Sequence, residues 1–551
     1  MNNENKLVIA AQIGNCVHVA GGIHFLNLAA DEGYETMFLG PAVSIEKLME
    51  TVRNKKPYMI TVGFRLTPEN AVPLINELIA KADTLDYKPR WIFGGTKPVS
   101  EIVSKYGFFE KVYNGSEDID ESICFLRGQT AQGKTEMLED NLISRLKLKS
   151  PYPLLRHHFG LPSFNETAEG IAKIADSKVL DIISLGPDQN TQQYFFSPDK
   201  RNKKLDGAGG VHISGKDDFI TLKQAAQRGS YPLLRCYSGT SDVFKFAGIL
   251  KKTINNAWCA VPLCWYNELD GRGERTIECS IAEAQKLMSW HGEHNIPVEV
   301  NEPHHWALRD SHDSLVAAMS YIAAYNAKKY GVENYISQIM FNVPNMLSFS
   351  MDLAKARAQL ELCSRLEDTS FKIYKQTRAG LPFLSGDLDI AKGQLAASTY
   401  LQMSVRPHII HVVGYSEAEH AATPEVAIES CKLVRGVISS VLQSLPAYES
   451  DESIISRTHE IVSEASFLID FIIDRYSSIS SDPLSDPKVI ADCIRTGILD
   501  APHIVKNDKF KGTLQTRIID GKCLAFDTGK GRAVSERERL DSIALESKIA
   551  V

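Results

Sequence analysis

Short apolar runs alternate with amphipathic stretches of 3.6-residue spacing through the first 128 residues. LVIAAQI (7–13), ETMFLG (35–40), YMITVGF (58–64), PRWIFGG (89–95) and KVYNGS (111–116) read as strands. GIHFLNLAADEG (22–33), SIEKLMETVRNKK (44–56) and ENAVPLINELIAKAD (69–83) read as the intervening helices. Strand and helix in strict alternation predict a parallel sheet of βαβ units, with ligands at the C-terminal strand ends.

Residues 129–155 lose the apolar runs and read as a polar, charged linker with one helical stretch. From 156 to 480 the alternation resumes at longer spacing. Strands are expected at 178–185, 231–238, 257–266, 297–303, 335–344 and 408–416, with helices such as 280–294 and 313–331 between them. This rhythm predicts a TIM (β/α)8-type barrel; a second doubly wound domain is the alternative. Residues 481–551 read as a small C-terminal subdomain. The expected fold class is α/β throughout: a Rossmann-like (flavodoxin-like) domain over 1–128, the barrel, and the extension.

A chain of 551 residues is long enough for two or three domains and a sizeable core. The net charge of −7 argues against nucleic acid or an anionic membrane as the main partner. No apolar run approaches a membrane span, and the polar opening MNNENK shows no signal peptide. Ten cysteines without CxxC spacing suit reduced thiols, so a cytoplasmic location is expected.

Candidate chemistry concentrates at strand ends. His18 follows the first strand, three residues before Gly21, in the loop Cys16-Val17-His18-Val19-Ala20-Gly21. A loop histidine that caps a helix or faces solvent is the plain reading. Gly63 to Leu66 lie at the C-terminal end of the third strand, and Gly94-Gly95 end the fourth. Arg156, with His157-His158 behind it, and Arg235 stand at barrel strands; as plain structure they are rim salt bridges. Glu302, His304, His305 and His312 follow a strand and offer a metal set or polar contacts to a ligand, although their spacing fits no tight metal template. Glu425 reads as a helix N-terminal glutamate after Thr-Pro. Gly207, Gly209 and Gly210 mark a turn.

The first domain resembles the cobalamin-binding family signature DxHxxG, followed by a serine-containing loop after strand three and a GG pair after strand four. The resemblance implies His18 as the lower axial cobalt ligand. It implies Cys16, Gly21, Gly63, Leu66, Gly94 and Gly95 around the cofactor. The family's aspartate is Cys16 here, with Asn15 beside it, and its serine position falls at Gly63 or Phe64. From about 150 to 525 the chain resembles the large subunit of glutamate mutase. The matches are PLLRCYSGTSD (232–242), AWCAVPLCWYNELDGRGERTIECS (257–280), PVEVNEPHHW (297–306) and RTGILDAPH (495–503).

That resemblance implies an adenosylcobalamin-dependent mutase. Arg235 and Arg156 would grip substrate carboxylates. Tyr266 and Glu302 would stand with them as catalytic residues, and Glu425 would lie near the adenosyl group. The family's third arginine falls near Gln192-Gln193, and its amine-binding carboxylate near Ala260. A small carboxylate substrate other than glutamate is therefore expected, with a homodimer through the barrel by analogy. A cobalamin methyltransferase or eliminase, a non-catalytic cobalamin-binding protein and a metal-dependent barrel enzyme are the alternatives.

Overall fold

The computed structural model describes residues 6–549, except 118, 129–138, 238, 240, 444–447, 505–508 and 511. The chain divides into two units, Met1–Glu136 and Met137–Val551.

The first unit holds five parallel strands, β1 (Leu7–Gln12), β2 (Glu35–Phe38), β3 (Met59–Phe64), β4 (Arg90–Gly95) and β5 (Lys111–Tyr113), in the order β2-β1-β3-β4-β5. Every residue of β1 and β3 is buried, as central strands covered on both faces require. Helices Ala20–Asp31, Ile45–Lys55 and Pro68–Ala82 follow the expected spans within two residues. Ser44 and Thr67 accept hydrogen bonds from the Lys47 and Asn70 amides and start the second and third of these helices. The strand order reverses between β1 and β3. Their C-terminal ends, Gln12 to His18 and Gly63 to Leu66, therefore flank the crevice in which such sheets bind ligands.

The second unit is built on eight parallel strands: β6 (Leu154–Phe159), β7 (Ile182–Leu185), β8 (Leu233–Arg235), β9 (Cys259–Val261), β10 (Val298–Val300), β11 (Asn334–Phe341), β12 (Lys372–Ala379) and β13 (Ile409–Val412). Pairing of β13 with β6 brings the last strand against the first. The sheet order β8-β7-β6-β13-β12-β11-β10-β9 is that of a nearly closed barrel. Between β8 and β9, the Ala257 amide donates to the Leu234 carbonyl at 3.0 Å. Two strands depart from the sequence expectation. β6 begins ahead of residue 156, and β12 lies in a segment read as having no strand.

Part of the stretch expected as a linker is folded structure. Leu142–Lys149 is a helix capped by Asn141, whose Oδ1 accepts from the Ser144 amide at 2.9 Å. Its Leu142 and Leu146 pack with Leu154, Ile182, Leu233, Trp258, Ile336 and Ile409. These are the N-terminal inward positions of the strands, so the helix plugs that end of the barrel. Buried Arg145 ties it down through the Tyr231 carbonyl at 2.7 Å.

The C-terminal region covers the barrel's outer helices. Helix Glu452–Tyr476 packs on helices Asp313–Lys329 and Phe349–Ser364. A small antiparallel sheet follows, β14 (Thr516–Ile519), β15 (Lys522–Asp527) and β16 (Arg532–Ala533), and then helix Glu536–Ile549. Buried polar pairs anchor it. Arg457 donates to Asp313 at 2.7 Å, and His312 Nε2 meets Glu536 Oε2 at 2.7 Å. No helix among the described residues is long and apolar enough to cross a membrane.

Candidate functional site

In the first unit the loop after β1 leaves His18 and Gly21 exposed, while Cys16 is fully buried in the core. Cys16 is thus not a surface contact. Its Sγ lies 3.8 Å from His18 Nδ1, on the side where the resembled family has a carboxylate. His18 Nε2 is left for a ligand. Gly94 has open space where a side chain would project, and so does Gly21. Gly63 does not: a Cβ there would stand 2.0 Å from Gln12 Oε1, and one at Gly22 would stand 2.6 Å from Gln12 Nε2. The buried Gln12 side chain fills the gap between β3 and the first helix. Gly95 is close-packed against Phe64 and Phe93, and Leu66 leans on the apolar core. The open space at Gly21 and Gly94 leaves room for a ligand beside exposed His18. Any group entering beside Gly63 displaces Gln12 first.

In the second unit, the N-terminal layer of the barrel is apolar and the next layer is polar. Arg156, Ser184, Arg235, Glu299, Gln338, Gln376 and His411 are all buried there. Alternation along each strand puts them on the inside, one step beyond the apolar plug. Arg156 is fully engaged. Its Nε donates to Ser184 Oγ at 2.6 Å and its Nη1 to Gln376 Oε1 at 2.8 Å; Nη1 also faces Glu299 Oε2 at 3.5 Å. Glu299 accepts further from Trp258 Nε1 at 2.8 Å and Gln376 Nε2 at 3.0 Å. Burial pushes the Glu299 carboxyl up, but Arg156 and Arg235 outweigh this and hold it below the usual range. Burial, and then the charge of Arg235, push Arg156 the other way, well below its usual value.

Arg235 is fully buried and differently placed. Its guanidinium lies 4.8 Å from the Trp258 ring and 5.3 Å from Tyr237. Nη1 reaches Ser184 Oγ at 3.4 Å, while Nε and Nη2 have no hydrogen-bond partner. Those two nitrogens form the edge that grips a carboxylate bidentately. A third arginine, Arg378, projects from β12. Its Nη1 lies 3.4 Å from His304 Nδ1, and its buried Nε has no partner. Gln338 Nε2 donates to the same His304 nitrogen at 2.9 Å. Burial and then the nearby arginine charges keep His158, His304 and His411 neutral, well below the usual histidine value. The interior therefore gathers three guanidinium groups around one buried carboxylate.

Above this layer, Gln192, Tyr237, Gly239, Ala260, Pro262, Tyr266 and Asn301 line a cleft. Tyr237 Oη lies 2.9 Å from His158 Nε2, and the two rings stack. Tyr266 takes a left-handed backbone, φ 64°, and burial pushes its phenol up to about 12. Asn301 Oδ1 is buried without a partner. Ala260 offers no charge where the resembled family has a carboxylate. Ser238 and Thr240 of the matched loop lie outside the described residues.

Other expected site residues take different places. Both oxygens of buried Glu302 are occupied: Oε1 accepts from the Leu263 and Cys264 amides at 2.8 and 2.9 Å, and Oε2 from Trp306 Nε1 at 2.9 Å. It positions the loop that carries Tyr266. Glu425 sits exposed on helix Pro424–Gln443, ion-paired with Lys173, which holds its carboxyl down at about 2. The histidine set does not converge: His304 Nδ1 meets Gln338 Nε2, while His312 Nε2 is paired with Glu536. Among the described residues, the group with metal-like convergence is Asp188, Asp206 and His212. Its atoms serve the DGAGGVH loop: Asp188 accepts from the Thr191 and Gly207 amides and from His212 Nδ1 at 2.7 to 2.9 Å. Gly210 packs so close to the Gly186 carbonyl that a Cβ would stand 2.1 Å from its oxygen.

The sequence reading missed Arg378, Glu299, Gln338, Gln376, Tyr237 and His411. The available signal in KIYKQTRA was confined to Gln376 and Arg378, two polar residues spaced i, i+2 in a β-branched and aromatic stretch.

No family model matches the chain, and no curated protein does. Solved structures similar to parts of it include a cobalamin-binding protein from Desulfitobacterium hafniense, at 20% identity over 20% of this chain and 53% of that one, TM-score 0.18. The chain thus spans about half of that protein's length. A truncated 3-deoxy-D-arabino-heptulosonate 7-phosphate synthase from Thermotoga maritima aligns at 12% identity over 53% of this chain and 89% of its own, TM-score 0.31. The cobalamin-dependent S-adenosylmethionine radical enzyme OxsB aligns at 9% identity over 79% of this chain and 56% of its own, TM-score 0.18.

Proposed function

We propose that this protein is a cobalamin-dependent intramolecular mutase that rearranges the carbon skeleton of a small carboxylate substrate other than glutamate, with the adenosyl form as its cofactor. The observation that carries the substrate half is the buried Arg235 edge, Nε and Nη2, without a partner in the barrel's polar layer. A buried, unpaired guanidinium is costly unless an anion completes it. The cofactor half rests on the sequence resemblance and on exposed His18, whose imidazole is backed by Cys16.

Bound adenosylcobalamin would supply the carbon-centred radical that starts and ends such a rearrangement. The chain's own residues do the rest. His18 Nε2 would bind the cobalt, with Gly21 and Gly94 leaving room for the ring. Arg235 holds the substrate carboxylate. Arg156, locked by Ser184, Gln376 and Glu299, positions that layer and adds positive potential. Tyr237, Tyr266 and Asn301 close the cleft over the substrate and limit water. Ala260 provides no counter-charge for an amino group, which sets glutamate aside. A homodimer through the barrel completes the proposal.

The test is a titration of the full chain with adenosylcobalamin in the dark, read by absorption, with His18→Ala alongside. Saturable binding with a base-off spectrum that changes in the variant supports the reading. No binding by the wild type overturns it.

A further inference from the structure

A cavity of about 430 Å³ opens on the outer flank of the second unit. Three segments wall it: helix Phe349–Ser364, the turn 404–406 that leads toward β13, and residues 448–459, where a short turn runs into helix Glu452–Tyr476. None of its residues belongs to the cleft of Tyr237, Tyr266 and Asn301. Those three follow strands at their C-terminal ends, whereas the turn 404–406 precedes the N-terminal end of β13. The cavity is thus separate from the proposed substrate site, and its volume is that of a small-molecule pocket.

Its wall is divided by chemistry. Leu353, Leu360, Val405 and Ile455 form an apolar side, continued by Tyr448, whose side chain hydrogen-bonds with Tyr400. Arg357 and Arg406 supply two guanidinium groups. Neither side chain has an ion-pair or hydrogen-bond partner among the described residues. Ser404 Oγ, two residues before Arg406, is buried and also without a partner. Two acids complete the lining. Glu361 pairs with Arg365 at 3.4 Å, while exposed Glu449 has no partner among the described residues.

Each feature narrows the ligand. Inorganic phosphate would satisfy the arginines and leave the apolar side and most of the volume empty. A fatty acid would cover the apolar side and leave Glu449 unmet. A nucleoside monophosphate uses every part. Its phosphate takes Arg357 and Arg406, which suit phosphate oxygens, and accepts from the Ser404 hydroxyl. Its base lies against Tyr448 and the aliphatic side chains. Its ribose hydroxyls donate to Glu449, the role a carboxylate plays toward ribose elsewhere. We infer that this cavity is a binding site for a nucleoside monophosphate. The inference does not depend on the cofactor or the reaction proposed above.

The experiment is calorimetric titration of the full chain with AMP and UMP, and with adenosine, uridine, ribose 5-phosphate and inorganic phosphate. One nucleotide is expected to bind about tenfold or more tighter than its nucleoside and than either base-free phosphate. Arg357→Gln and Arg406→Gln should each weaken it about tenfold, the loss of one charge-assisted contact. Arg406 and Glu449 are exposed, so Arg406→Gln and Glu449→Gln should keep the wild-type urea midpoint. Glu449→Gln should weaken the nucleotide and leave inorganic phosphate unchanged. His18→Ala should leave nucleotide affinity as it is. Inorganic phosphate bound as tightly as the better nucleotide overturns the nucleotide assignment, and a nucleoside bound as tightly overturns the role of the arginines. Affinity unchanged in folded Arg406→Gln and Glu449→Gln, or lost in His18→Ala, overturns the cavity as the place of binding. Absence of binding by both nucleotides overturns the inference outright.

Discussion

Replacing Arg235 by methionine should stabilise the ligand-free protein. Its Nε and Nη2 are buried without partners, and an unmet buried donor costs roughly 1–3 kcal/mol, more on a charged group. Against this stand one long hydrogen bond to Ser184 at 3.4 Å, the Trp258 and Tyr237 ring faces at 4.8 and 5.3 Å, and the attraction to the Glu299 carboxylate that Arg156 already engages. A desolvated cation–π contact contributes about 2 kcal/mol. Methionine matches the length, fills irregular space and keeps contact with Trp258. Replacing buried charge by well-packed apolar atoms is often neutral or stabilising by about 1–4 kcal/mol, and a gain of ~2 kcal/mol is expected here. The assay is urea unfolding followed by tryptophan fluorescence. Four of the five tryptophans, Trp258, Trp265, Trp290 and Trp306, lie in the barrel unit, so the signal reports that unit. The same variant should lose carboxylate binding, which separates a cost of function from a defect of folding. A loss of 3 kcal/mol or more in Arg235→Met would refute the reasoning, because it would mean that the guanidinium has a strong partner within the free protein.

Three further outcomes follow from the same geometry. Glu299→Gln removes the carboxylate that faces Arg156 and should cost about 3 kcal/mol in urea unfolding; an unchanged midpoint would sink the claim that this pair is the barrel's internal charge balance. Leu146→Ala should cost ~2–4 kcal/mol, with faster proteolysis of 139–150, since its side chain plugs the barrel; a silent variant would return the segment to a linker. Burial holds His291 and His157 down at about 4, from an ordinary 6.5. The unfolded chain binds these protons more tightly, so stability is complete above pH 6.5 and is lost as pH falls toward 4, by ~3 kcal/mol per histidine. His291→Gln should flatten the urea midpoint across that window, and an unaltered slope would contradict the assignment.

Elements with continuous apolar runs or strong caps were legible along the chain. β1, β3 and the helices started by Ser44 and Thr67 stand where their patterns put them, because burial on both faces leaves a run that needs no neighbour to interpret. β12 was not legible. Its inward side chains, Gln376 and Arg378, line a polar interior, so the strand carries neither an apolar run nor a plain alternation. Glu302 shows the converse: a glutamate at a strand end looks catalytic until the fold turns two backbone amides and Trp306 onto it. His304 and His312 lie close in sequence, yet one faces Gln338 inside the barrel and the other Glu536 of the last helix.

By itself, then, the sequence determined the α/β class, the parallel order of the first sheet's elements and the strand-end position of His18, since these follow from local periodicity and loop chemistry. Only the tertiary structure decided that Arg235 and Arg378, 143 positions apart by number, are each left with unmet hydrogen bonds inside one barrel, and that Arg156 is not. Whether a buried charge is paired depends on which distant strands close the barrel beside it, and no local pattern encodes that.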